Sequence, residues 1–166
     1  AILDLDQAAL DATVAALGDE GMRADGYHVD VSEEDAVRRA VADVVRKHSR
    51  LDVMVHCAAI VGPNARKVTE VSAEEFDEVY RANLRSSFLM TKYALLEMEK
   101  RDYGRILLFS SIAGKEGNAG MSAYSSTKAG VIGLVKAAGK EYAETGITVN
   151  AIAPAVIRAA MVDRMT

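Results

Sequence analysis

Tyr124 and Lys128 stand four residues apart in Tyr124-Ser125-Ser126-Thr127-Lys128, and Ser111 lies thirteen positions before the tyrosine. On a helix, residues at i and i+4 share a face, so a phenol and an ammonium at that spacing can approach each other. A free tyrosine phenol, with a pKa near ~10, is a poor base at neutral pH. A fixed cation beside it stabilises the phenolate and makes it a usable acid/base. A serine hydroxyl nearby could hold a substrate oxygen while the phenol moves its proton. That is the chemistry of an alcohol or ketone undergoing hydride transfer. The spacing alone is a weak signal. It gains weight because the other five tyrosines have no lysine at +4, and because Ser110-Ser111 directly follows the apolar run Arg105-Ile106-Leu107-Leu108-Phe109.

The elements that must position these groups follow from hydrophobic period. Short apolar runs at 2–5, 27–31, 51–56, 105–110 and 148–153 read as strands, and the stretches 7–17, 33–48, 73–99 and 122–143 read as helices. Ser32 three before Asp35, and Ser72 three before Glu75, are helix-start signals, and glycines 21, 26, 104 and 146 punctuate the connections. Strand–helix alternation with near-continuous apolar strands predicts an α/β fold, a doubly wound parallel sheet covered by helices on both faces. Ligands of such sheets bind beyond the carboxyl ends of the strands, which singles out Asp4, Asp30, His56-Cys57-Ala58-Ala59, Ser111 and Pro154. Asp4, ending the first strand, can accept both hydroxyls of an adenosine ribose and would repel a ribose phosphate. The plainer alternative is that Asp4 or Asp6 caps the next helix. Asp30 ends the second strand, and a turn role before Ser32 is at least as good a reading. Asn83, beside Leu84 and Phe88 in the long helix, falls near its buried side and needs a specific partner there.

Composition narrows the classes. The chain has 166 residues, half of them apolar, and a formal net charge of −4. Lys and Arg alternate with Asp and Glu, so nothing favours nucleic acid. No apolar run is long enough to span a bilayer, no secretory pattern opens the chain, and a lone cysteine, Cys57, fits a reducing cytoplasm. The thiol reads as packing, and His28, His48 and His56 lack zinc-site spacing, so no metal is expected. The first residues read as the end of a strand and 161–166 as a helix just beginning. Natural domains rarely start and stop inside elements. Residues 1–166 are therefore expected to be one dinucleotide-binding and catalytic domain truncated at both ends.

With these residues in view, the sequence resembles a classical short-chain dehydrogenase/reductase along essentially its whole length. Ile2-Leu3-Asp4-Leu5-Asp6 resembles the strand end that selects NAD, and Asp30-Val31 the pair that holds the adenine ring. His56-Cys57-Ala58-Ala59 occupies the family's Asn-Asn-Ala-Gly position, and 146–154 resembles the sixth strand and the loop over the nicotinamide. Asn83, Ser111, Tyr124 and Lys128 match the catalytic tetrad. The resemblance implies an NAD-dependent oxidoreductase of a secondary alcohol, a sugar, polyol or hydroxy acid among the options. Tyr124 would be the general acid/base and Ser111 would orient the carbonyl. Lys128 would stabilise the phenolate and bind the nicotinamide ribose, and Asn83 would anchor a water linking Lys128 to solvent. Cofactor contacts fall to Asp4, Leu5, Asp30, Val31, Cys57, Ala58, Tyr124, Lys128 and Ile157. A homodimer or homotetramer is implied, since helices 73–99 and 122–143 carry more apolar surface than one sheet covers.

Departures from the pattern are the two missing asparagines at 56–57, Ala59 and Ala155 where glycine is usual, and Ala159 in place of a threonine. The family's first strand and glycine-rich phosphate turn should precede Ala1, and without that central strand the sheet would have a gap between the strands ending at Asp4 and His56. Alternatives are a 3-oxoacyl carrier-protein reductase, which usually prefers NADP, a non-catalytic binding member of the family, and the extended epimerase/dehydratase branch, which often carries His-x-Ala-Ala. Asn83 and the Ser110-Ser111-Ile112-Ala113-Gly114 context favour the classical branch.

Overall fold

The computed structural model describes residues 1–155 and Ile157. Apolar runs form five parallel strands: β1 (Ile2–Asp4), β2 (Gly26–His28), β3 (Val53–His56), β4 (Gly104–Phe109) and β5 (Ile147–Ile152). Six α-helices connect them: α1 (Gln7–Asp19), α2 (Glu34–His48), α3 (Ala73–Tyr80), α4 (Ser86–Met98), α5 (Ile112–Glu116) and α6 (Ser122–Glu141). Each expected strand has a counterpart, as do the helices at 7–17, 33–48 and 122–143; the stretch 73–99 is divided, and α5 is an addition.

The strands form two sheets, β1–β2 and β3–β4–β5. Asp4 pairs with His28, His56 with Leu108, and Phe109 with Ile152, so the carboxyl ends of the strands lie level with one another. The expected gap is there. Between β1 and β3 opens a cleft of about 1110 Å³, lined among others by Asp4, Leu5, Asp30, Val31, Cys57 and Ala58.

The core lies where α4 and α6 pack on β3–β5. Met90 and Met98 of α4, Ile106 and Leu108 of β4, Val131 of α6 and Val149 of β5 are all buried there. On β3–β5 the helices cover one face. Burial alternates along β3 and β5, and Val53 and Val55 stand exposed toward the cleft at 57% and 52%. In a half-covered strand only every second side chain reaches the helices.

Three local expectations are corrected. The second strand ends at His28, so Asp30 lies two residues past it, in a turn where its carboxylate accepts the Ser32 N–H at 2.8 Å. Helix α2 starts from Glu33, not Ser32, and has no side-chain cap. The stretch 73–99 is not one α-helix. A π turn, Arg81–Arg85, separates α3 from α4, and the Ser86 N–H bonds to the Arg81 carbonyl five residues back. The Ser72–Glu75 capping box forms as expected, with Glu75 N–H to Ser72 Oγ at 3.2 Å and Ser72 N–H to Glu75 Oε2 at 2.9 Å.

Candidate active site

The site is built at the carboxyl end of β4. Phe109 is the last strand residue, and Ser110 and Ser111 emerge beyond it. Ser110 is buried, and its hydroxyl donates to the Lys128 carbonyl at 2.8 Å. Ser111 is half-buried and caps α5, its Oγ accepting the Ala113 N–H at 3.2 Å. Gly114 lets α5 lie against α6, because a Cβ there would sit 2.6 Å from the backbone carbon of Lys128. The loop after β5 closes on the same point, with Ser110 N–H bonded to the Ile152 carbonyl and Ile112 N–H to the Pro154 carbonyl, each at 2.9 Å.

Tyr124 and Lys128 lie in the first two turns of α6. Lys128 is only 4% exposed, and its Nζ donates to the Phe109 carbonyl at 2.8 Å. The same Nζ stands 5.6 Å from the centre of the half-buried Tyr124 ring, as the i, i+4 spacing predicted. Burial pushes the ammonium down to about 8, opposed weakly by the Cys57 thiol. One neutral carbonyl does not replace the hydration an ammonium loses.

Asn83 sits in the middle of the π turn and is 1% exposed, deeper than its neighbours implied. Its amide grips the backbone of one residue twice: Oδ1 accepts the Ile60 N–H at 2.8 Å, and Nδ2 donates to the Ile60 carbonyl at 2.9 Å. Nδ2 also reaches Thr127 Oγ1 at 3.2 Å, and that hydroxyl donates to the Tyr124 carbonyl at 2.9 Å. Asn83 is thereby linked to the turn of α6 that carries Tyr124 and Lys128. π turns of this kind recur at functional sites.

Of the expected cofactor contacts, Asp4, Leu5, Asp30, Val31, Cys57 and Ala58 line the cleft, and Tyr124, Lys128 and Ile157 do not. Asp4 is exposed at the tip of β1. Its Oδ1 accepts the Asp6 N–H at 2.9 Å, while Asp6 caps α1 by accepting the Ala9 N–H at 3.0 Å. The capping role therefore falls to Asp6, and Asp4 is engaged through Oδ1 alone. Leu5, 63% exposed, and half-buried Val31 offer apolar surface to the same cleft as Asp30. Cys57 is exposed just past β3, and desolvation pushes its thiol up despite Lys128, which argues against a reactive thiolate. Ile157 is exposed; Ala159 and the helix expected at 161–166 lie outside the described residues.

Reading by residue type missed Thr127 and Ser86, and it missed the pairing of Ser86 with His56, whose hydroxyl and ring meet at 3.0 Å in the interior. Thirty residues separate that pair, and no local pattern announces it. No group of three or more His, Cys, Asp or Glu able to hold a metal occurs among the described residues, and no described helix is long and apolar enough to cross a membrane.

A family model described as short chain dehydrogenase matches residues 1–166. A 2-dehydro-3-deoxy-L-rhamnonate dehydrogenase (NAD(+)) of a Sphingomonas species is 37% identical over 99% of this chain and 64% of its own length. A 3-oxoacyl-acyl-carrier-protein reductase of Staphylococcus aureus is 35% identical over 94% of this chain and 63% of its own. Among solved structures, NAD+-bound xylitol dehydrogenase superposes with a TM-score of 0.92 at 31% identity, over 96% of this chain and 61% of that one. NADP-bound ElxO does so at 0.89 and 32%, over 98% and 65%. The chain thus spans somewhat under two thirds of the length of these proteins, and within that span it has their Rossmann-type α/β fold. It belongs to the short-chain dehydrogenase family.

Proposed function

We propose that the protein is an NAD-dependent oxidoreductase that interconverts a secondary alcohol and its ketone, with Tyr124 as the general acid/base. Residues 1–166 contribute to a single dinucleotide-binding and catalytic domain. The observation that carries this reading is the buried Lys128 ammonium, pinned by the Phe109 carbonyl and 5.6 Å from the Tyr124 ring, at the strand end that also bears Ser111. A fixed cation there stabilises negative charge on the phenol oxygen throughout the reaction. When bound, the nicotinamide supplies or accepts the hydride.

In the oxidative direction Tyr124 takes the hydroxyl proton as the hydride leaves the carbinol carbon. In reduction it returns that proton to the carbonyl oxygen. Ser111 holds the same oxygen by a hydrogen bond, and the Ser110 and Ile112 backbone bonds keep its strand end rigid. Asn83, locked to Ile60 and Thr127, holds α6 in place and leads a water to Lys128.

The cleft residues fit an adenosine ribose and an adenine ring. A carboxylate at Asp4 has a free oxygen for a diol, and the apolar Leu5 and Val31 share the cleft with Asp30. A ribose phosphate would meet like charge at Asp4, which supports NAD. The NAD-named rhamnonate dehydrogenase and the NAD+-bound xylitol dehydrogenase agree with sugar-acid or polyol substrates. A second reading, reduction of a 3-oxoacyl thioester, is favoured by the likeness to the staphylococcal reductase.

The proton-transfer role is tested by replacing Tyr124 with Phe in the complete enzyme. The expected result is loss of turnover by ~10³-fold or more with NAD affinity changed less than about threefold; retained turnover would refute it. Comparing sugar acids, polyols and 3-oxoacyl thioesters as substrates separates the two readings.

A further inference from the structure

His56 ends β3 with its ring turned into the protein, 5% exposed, and Nε2 lies 3.0 Å from Ser86 Oγ. The proton on this contact can be assigned by counting. Ser86 Oγ has one hydrogen, and it also lies 2.5 Å from the Ala82 carbonyl and 3.3 Å from the Asn83 carbonyl. Two oxygens 2.5 Å apart repel unless a proton lies between them, so the serine donates to Ala82. Its lone pairs then face His56, and Nε2 must carry the hydrogen that bonds to them. Burial, and after it the Lys128 charge, push His56 down to about 4, so the ring is neutral at working pH and its hydrogen sits on Nε2.

The carbonyls that Ser86 serves belong to the π turn. Because Ser86 N–H reaches back to Arg81, the Ala82 carbonyl loses its usual α-helical partner, and the serine hydroxyl takes that place. Ser87 does the same for the Asn83 carbonyl at 2.6 Å. The segment His56-Cys57-Ala58-Ala59-Ile60, which lines the cleft, is therefore stapled to the π turn at both ends. Ile60 is held by the Asn83 amide, and His56 by Ser86.

We propose that His56 is a positioning residue: as a neutral Nε2–H donor to Ser86 it holds the π turn in register, and with it Asn83 and the cleft-lining strand end, for turnover at Tyr124 and Lys128. This rests on the function proposed above. His56 touches neither Tyr124 nor the reacting atoms, so its removal acts through Asn83.

The test replaces His56 in the complete enzyme with Phe, which fills the space without donating, and with Gln, which can donate from a similar position. The Phe variant is expected to lower kcat by ~5–30-fold, the loss of one buried hydrogen bond, with the KM for substrate within about threefold. The Gln variant is expected to recover most of it. A Ser86→Ala change should cost less in the Phe variant than in the unaltered enzyme, since the His56 contact is already gone and only the bond to the Ala82 carbonyl is left to lose. Unchanged kcat in the Phe variant, or losses that multiply in the double variant, would overturn the proposal. Nitrogen-15 NMR of the unaltered enzyme needs no variant to fold: a neutral Nε2–H ring down to pH 5 is expected, and an imidazolium or an Nδ1–H ring would overturn the assignment. These NMR readings do not depend on turnover, so they stand or fall separately from the Tyr124→Phe result.

Discussion

Replacing Lys128 with Met is predicted to make the protein more stable at neutral pH and inactive. The magnitude follows from burial. The ammonium ordinarily loses its proton near 10.5, and in this fold it does so at about 8. That difference corresponds to ~3 kcal/mol by which the folded state disfavours the charged form. At 4% exposure little solvent screening reduces it. Between pH 8 and 10.5 the unfolded chain holds one more proton than the folded one, so stability rises with pH across that window; below pH 8 the full penalty applies. Met keeps the length of the stem but leaves the Phe109 carbonyl without its donor, which takes back ~1 kcal/mol. The variant should therefore exceed the unaltered protein by ~2 kcal/mol at pH 7, falling to about zero near pH 9.5. Urea unfolding at both pH values, without cofactor so that binding linkage does not intrude, measures the difference directly. A variant that is less stable at pH 7, or a difference that does not change with pH, would refute the reasoning.

Substituting Gly114 with Ala should destabilise by ~2 kcal/mol or more and lower turnover, because the new Cβ would strike the Lys128 backbone at 2.6 Å; thermal unfolding with kinetics checks both. Changing Asp4 to Ala should narrow the preference for NAD over NADP by ~10-fold or more, as read by fluorescence titration of the two cofactors. An unchanged ratio would remove Asp4 from cofactor selection. Phe76, Tyr80, Phe88 and Leu96 are exposed along α3 and α4 at 38%, 40%, 48% and 46%. We expect this surface to be covered in a homodimer or homotetramer. Light scattering of the complete protein should give a multiple of the monomer mass, and Phe88→Lys should lower it.

What could be read from residue order divides by the range of the interaction. Tyr124 and Lys128 are four apart on one helix, so their proximity is a local fact that helix geometry guarantees once α6 forms. Ser111 follows from the end of an apolar run, a short-range pattern of the same kind. Asp4 was placed correctly at a strand end, but its competition with Asp6 for the cap is decided by backbone angles that no pattern specifies. The π turn is the clearest failure. Arg81-Ala82-Asn83-Leu84-Arg85 has ordinary helix composition, with no proline or glycine to mark a change of turn. Its cause is tertiary, lying in Ile60, Thr127 and His56, which reach it from 23, 44 and 30 residues away.

Lys128 connects the two scales. Packing alone would fill its position with Met or Leu, which would lose no hydration there. An ammonium has instead been buried with a single carbonyl acceptor, in a place where the folded state disfavours it by ~3 kcal/mol. Such a disadvantage persists only where surrounding structure holds it and something other than stability depends on it. The surrounding structure is identifiable: the Ser110 bond to the Lys128 carbonyl, the Gly114 contact and the Asn83–Thr127 link all fix the lysine's backbone rather than relieving its charge. An unfavourable cation kept 5.6 Å from a phenol is what the acid/base role proposed for Tyr124 requires.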